Sequence, residues 1–249
     1  MKYSYKLIKQ SLPVKKNSKS SFWVKLFIRK LSFLFTFILI NLNFSATMAS
    51  VLSVLVAIAG CAMFASSNQI IYLIGLILIN FWLVLDCVDG NIARCHKSSS
   101  IYGEFIDALS GYTILSFVYL SIGIHSYFQG GVIITKANIF LIIIGACASI
   151  FDILARIIHQ KFQYTLVIDH KKQEQPTNFN DNKFTLSYIR SRVDKEIGIS
   201  GAFMPLLIVA TLLKATDVFI CFYFLFNLVA LIIVQITYIK KASIVNEKN

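Results

Sequence analysis

Charge and proline are scarce in this 249-residue chain: charged side chains make up 14% of it, and there are three prolines. Soluble domains carry about a quarter charged residues, so an ordinary water-soluble domain is excluded. Acid is the scarcer sign, with 12 Asp and Glu against 24 Lys and Arg. The five cysteines (Cys61, Cys87, Cys95, Cys147 and Cys221) stand apart with no C-x-x-C pair. That spacing argues against a disulfide framework or a zinc site. Cys87, Cys95 and His96 lie close to an acidic motif, but small buried cysteines are common, and a metal thiolate is not expected there. Residues 1–20 are rich in lysine and lack a continuous apolar core, so no cleavable signal peptide is expected. No internal repeat stands out.

What the chain does have is apolar sequence. Hydrophobic residues reach 57%, mean hydropathy is +0.70, and several runs approach the roughly 20 residues that cross a bilayer. The expected class is an all-α polytopic membrane protein of about six spanning helices preceded by an amphipathic interfacial helix. The net charge of +12 is confined to a few segments. Basic residues gather in the N-terminal region, around Arg94 and Lys97, between Arg156 and Lys195, and at Lys240 and Lys241. Outside these groups fall only Lys136, Lys214 and Lys248, the last in the C-terminal tail beside Lys240 and Lys241. This bias points to cytoplasmic termini and to anionic membrane lipids as the electrostatic partner, with no nucleic acid.

Residues 1–22 read as a basic cytoplasmic tail, 23–240 as one membrane-embedded domain and 241–249 as a second tail. Within residues 23–40, Lys25, Arg29, Ser32 and Thr36 fall at helical spacing and predict an interfacial helix, with Trp23 near the head groups. Spans are expected at about 48–64, 70–88, 101–125, 132–159, 198–213 and 218–239. Residues 65–69 make an uncharged turn, Gln129-Gly130-Gly131 another, and 160–197 a polar cytoplasmic loop. Arg190, Arg192 and Lys195 in that loop read as a solvated basic face, with a phosphate or lipid head-group site as the alternative.

The informative stretch is Asp86-Cys87-Val88-Asp89-Gly90-Asn91-Ile92-Ala93-Arg94, followed by Gly103 and Asp107. Charge near membrane depth is costly and marks a site. Asp86 and Asp89 project from one helical face, and Asp107 starts the next span, so a short loop brings three carboxylates to similar depth. Oxygen donors of this kind suit Mg²⁺ or Mn²⁺. Two such ions can clamp a diphosphate, with Arg94 bonding phosphate oxygens. Gly90 and Gly103 leave room for a close ligand. The bland alternative pairs these acids with Arg94 and Lys97. A cation transporter would instead distribute carboxylates across membrane depth, whereas these crowd one side and Asp217 stands isolated on the other.

The pattern D-x-x-D-G-x-x-A-R-x8-G-x-x-x-D resembles the signature of the CDP-alcohol phosphotransferase (phosphatidyltransferase) family, and motif and order match from roughly Ser45 to His125. The resemblance implies six transmembrane helices around a cytoplasm-facing site, often in a homodimer and typically in a bacterial-type inner or cytoplasmic membrane. The implied reaction moves a substituted phosphate from a CDP-linked donor, with CDP-diacylglycerol expected, to an acceptor hydroxyl and releases CMP. By the same resemblance, Asp86, Asp89 and Asp107 bind metal, while Gly90, Ala93, Arg94 and Gly103 contact the CDP moiety. Where the family has Asn-x-x-Thr before the first span, this chain has Thr47-x-x-Ser50.

The chain departs from the family at Gly111, where a fourth aspartate would deprotonate the acceptor. Neither Ser110 nor Tyr112 is a strong base at neutral pH. Three resolutions stay open. Asp152 can serve as replacement base, although it also stands at ion-pair spacing from Arg156. An anionic or metal-activated acceptor needs no base. Lastly, the chain can be a silent pseudoenzyme that binds CDP-lipid and metal.

Overall fold

The computed structural model describes residues 3–13, 20–97, 100–173 and 197–246. Among them the chain is helical with no strand. A short helix α1 (Tyr5–Gln10) precedes a π-helical turn (Val24–Ile28) that runs directly into α2 (Arg29–Asn41). Then come α3 (Ala46–Phe64), α4 (Gln69–His96), α5 (Ile101–Gln129) and α6 (Ile139–Gln173). A second π-helical turn (Ile199–Phe203) leads into α7 (Met204–Leu212), and α8 (Thr216–Asn246) closes the fold.

Local chemistry sets the boundaries. The side chains of Ser45, Asn68 and Ser100 accept hydrogen bonds from the first-turn amides of α3, α4 and α5, satisfying donors that a helix start leaves open. Lys97 ends α4 in the left-handed region, with φ 50°, and turns the chain toward Ser100.

Among the described residues, five helices have the length and apolarity to cross a membrane: 46–64, 69–96, 101–129, 140–165 and 216–243. Their outward residues, such as Ile70, Ile74 and Ile77 on α4 and Leu225, Val229 and Ile232 on α8, are exposed and apolar. Lipid-facing surface has that composition. The sixth expected span, 198–213, contributes a shorter apolar helix, Gly201–Leu212. Its twelve residues reach about 18 Å at 1.5 Å each, against a hydrocarbon core of about 30 Å.

Packing is densest between α3 and α4, then between α5 and α6, α6 and α8, and α3 and α5. Small residues allow these approaches. A Cβ added to Gly145 on α6 would lie 2.6 Å from the carbonyl oxygen of Tyr119 on α5, and one added to Gly123 would lie 2.5 Å from that of Leu141. In contrast, α4 and α5 barely touch although they are consecutive. Each packs on α3 instead, and their splayed ends leave a cavity.

Three sequence expectations need revision. The run Val132–Ile134 does not begin the fourth span, because its amides turn onto Asp217. The carboxylate accepts from the backbone N–H of Val132, Ile133 and Ile134 at 3.1, 2.7 and 2.9 Å, and the helix starts at Ile139. At its other end α6 continues to Gln173, past the residue 160 where a loop is expected. The remainder of that loop, with Arg190, Arg192 and Lys195, lies outside the described residues. Finally, Arg29, Ser32 and Thr36 are buried on the side of α2 that packs against α4, while Lys25 is exposed. The outward face of α2 and its leading turn is apolar, with Leu26, Phe27, Leu31, Leu34 and Ile38 exposed. The polar stripe therefore serves a protein contact.

Candidate active site

The cavity between the splayed ends of α4 and α5 has a volume of about 550 Å³. The start of α3 closes one side with Ser45, Ala46, Thr47 and Ser50. The last turns of α4 give Asp89, Gly90, Ala93, Arg94, His96 and Lys97. The first turns of α5 contribute Ser100, Gly103, Glu104 and Asp107. Asp89, Asp107, Gly90, Ala93, Arg94 and Gly103 are thus gathered at one place, although a loop separates the two halves of the motif. Asp86 sits one helical turn from Asp89, half-buried, and is not among the lining residues.

Asp89 is 5% exposed and held from two sides. The Ser50 hydroxyl donates to its Oδ2 at 2.6 Å, and the Gly90 amide donates to its Oδ1. Arg94 is set by Asn91, whose Oδ1 accepts from a guanidinium Nη2 at 2.6 Å. Asn91 is fully buried, and its amide nitrogen donates to Thr36 Oγ1 at 3.0 Å and Ser32 Oγ at 3.3 Å on α2. Among the described residues, the buried Arg94 Nε has no hydrogen-bond partner. A guanidinium has five N–H donors; with Nε buried and one Nη2 donor given to Asn91, the remaining Nη donors are the ones an anionic ligand in the cavity can use. A Cβ on Gly90 would meet the Arg94 guanidinium at 3.2 Å, so a larger residue would press on that group.

Below the cavity a buried hydroxyl cluster ties the three helices together. Trp82 Nε1 donates to Ser110 Oγ at 2.9 Å, Ser110 and Ser53 share a 2.6 Å bond, and Ser53 donates to the Ser50 carbonyl at 2.7 Å. Ser110 therefore faces the core. The neighbouring Gly111 is not a lining residue, and a Cβ placed on it would meet nothing within 4 Å.

Asp152 does not join this group. Its Oδ1 accepts from Arg156 Nε at 3.1 Å, and it lies outside the cavity lining. The close approach of Gly145 to Gly123 fixes its depth. Asp152 stands seven residues from Gly145 and Asp107 sixteen from Gly123, so Asp152 falls about 13 Å short of the level of Asp107 along the helices.

A family model described as CDP-alcohol phosphatidyltransferase matches residues 41–239. The chain belongs to that family. As a member, this phosphatidyltransferase homologue is a membrane transferase of phospholipid biosynthesis, with a CDP-alcohol donor and a hydroxyl acceptor. No curated protein matches it. Neither a pseudoenzyme nor a cation transporter gains support from the family match.

Among the described residues, no three His, Cys, Asp or Glu side chains converge as a ready ligand set. Asp89 and Asp107 do face one cavity. This arrangement suits Mg²⁺, which is commonly bound through one or two carboxylates and completes its shell with water and substrate phosphates.

Sequence reasoning missed Asn91 and the partner of Ser50. Asn91 reads as one more polar residue in a charged stretch, and only the packing of α2 on α4 reveals its partners. Ser50 was visible through Thr47-x-x-Ser50, but its bond to Asp89 spans 39 residues.

Proposed function

We propose that the cavity carries out metal-dependent transfer of a substituted phosphate, phosphatidyl in the favoured reading, from a CDP-alcohol to an acceptor hydroxyl with release of CMP. The observation carrying this reading is the shared cavity of Asp89, Asp107 and Arg94, in which the arginine is positioned but most of its donors are unspent. Asp89 and Asp107, with Asp86 one turn below, would hold Mg²⁺ or Mn²⁺, whose charge would offset that building on the departing phosphate. Arg94 binds diphosphate oxygens through charge-assisted hydrogen bonds. Gly90, Ala93 and Gly103 keep the walls low enough for the nucleotide to lie against backbone. Ser50 holds Asp89 in one rotamer, so the carboxylate does not have to be ordered when the donor arrives. In the transfer, the acceptor oxygen attacks the phosphorus that bears the alcohol, the bond to the bridging oxygen breaks, and CMP leaves with the electron pair.

The basic segments support an orientation with both termini and the cavity toward the cytoplasm, and the family supports a homodimer as the working assembly. The outward apolar face of α2 fits a helix seated in the lipid boundary. The reading is tested with purified protein and CDP-diacylglycerol, adding a panel of alcohols and polyol phosphates. CMP release should require Mn²⁺ or Mg²⁺, stop with chelator and return when metal is restored. Release that is indifferent to chelator would remove the metal from the account.

A further inference from the structure

We propose that Glu104 is the general base of the transfer, taking the role of the carboxylate missing at Gly111. The inference rests on the phosphotransfer reading and names a residue for its proton. Three observations carry it. Glu104 lines the same cavity as Asp89, Asp107 and Arg94. Unlike that of Asp152, its side chain has no hydrogen bond or ion pair among the described residues, so its carboxylate is uncommitted. It also shares a helical face with Asp107 and Gly111, at positions i, i+3 and i+7 of α5.

Asp152 is committed to Arg156 and stands at another depth. His96 also lines the cavity, but its ring packs on Tyr3 with centroids 5.5 Å apart. Among the described carboxylates around the cavity, Glu104 is thus the one free of both the metal role proposed for Asp89 and Asp107 and an ion pair.

Its position has a consequence for the substrate. Along α5, Glu104 lies about 4.5 Å nearer the helix start than Asp107 and about 10 Å nearer than Gly111. The base therefore sits toward the open end of the cavity, where Ser100 and Lys97 also lie. A hydroxyl presented there belongs to a hydrophilic alcohol arriving from water, which leaves the lipid on the CDP-linked donor. As the acceptor oxygen bonds to phosphorus, its proton passes to the Glu104 carboxylate. CMP takes the electron pair of the broken bond, and the protonated Glu104 afterwards returns its proton to water.

The test is Glu104→Gln, which keeps side-chain size and removes basicity. With CDP-diacylglycerol and water-soluble polyol acceptors, kcat should fall about 10²–10⁴-fold, the span a positioned base supplies. KM for the donor and the Mn²⁺ concentration for half-maximal binding should stay within about threefold of the parent. Glu104→Asp should fall between the two, since its carboxylate is one methylene short. The proposal is overturned if Glu104→Gln keeps kcat within threefold, if its loss follows weakened Mn²⁺ binding, or if His96→Gln suffers the loss in its place. It is also overturned if the parent is silent and Gly111→Asp gains CMP release, for then no base is present and the phosphotransfer reading stands alone. Silence of both parent and Gly111→Asp would instead remove the phosphotransfer reading, and Glu104 with it.

Discussion

Asn91→Leu isolates the contribution of α2 to the site. In the parent, Asn91 accepts from Arg94 and donates to Thr36 and Ser32. Leucine fills a similar volume but holds no guanidinium. The fold should tolerate the change, because both hydroxyls keep partners of their own. Thr36 donates to the Ser32 carbonyl at 2.6 Å, and Ser32 donates to the Arg29 carbonyl at 3.0 Å. The loss therefore falls on Arg94, which trades a charge-assisted bond for freedom to leave its diphosphate-binding pose. Hydrogen bonds to charged groups contribute about 1.5–3 kcal/mol, equivalent to roughly 10–150-fold in donor affinity. Calorimetric titration of CDP-diacylglycerol into detergent-solubilised protein, with Mn²⁺ present, reads that factor independently of turnover. A melting scan of the same samples checks folding. Thr36→Val should show a smaller effect, about 2–10-fold, since Asn91 keeps Ser32 and loses one neutral partner. Asn91→Leu that melts like the parent and binds donor with unchanged affinity would refute the idea that α2 positions Arg94.

Other perturbations reach the rest of the account. Ser50→Ala removes the 2.6 Å bond to Asp89 and should raise the Mn²⁺ requirement about 10–100-fold, as for the partners of other metal ligands. An unchanged metal titration would free Asp89 from Ser50. Asp152→Asn should leave kcat within about threefold, because the residue pairs with Arg156 away from the cavity. A hundredfold loss would reinstate it as base. Gly145→Leu forces a side chain into the 2.6 Å approach to the Tyr119 carbonyl and should destabilise the fold by about 1–3 kcal/mol or more. A parent-like melting temperature would contradict the packing of α5 on α6.

The acidic motif was legible because carboxylates in apolar surroundings are conspicuous and their spacing follows the helical repeat. Five spans were legible for the same reason that membranes require them, namely a continuous apolar length. What failed was the direction of faces. Arg29, Ser32 and Thr36 repeat at helical spacing whether they face water or a neighbouring helix, and only the packing on α4 decides. The run from Val132 to Ile134 is apolar enough to begin a helix, yet Asp217, more than 80 residues away, captures its amides. Asp217 looked isolated in the sequence for the same reason. Asp152 and Glu104 are alike as sequence features, and depth in the bundle separates them.

The central claim is that this cavity performs the transfer, and comparison of purified parent protein with Asp89→Ala tests it most directly. Both are given CDP-diacylglycerol, Mn²⁺ and a polyol panel, and CMP and new lipid are measured by mass spectrometry. The account predicts CMP and a phosphatidyl product in equal amounts from the parent, and neither from Asp89→Ala. Equal release from both proteins, or none from the parent while it binds donor and metal, would contradict it.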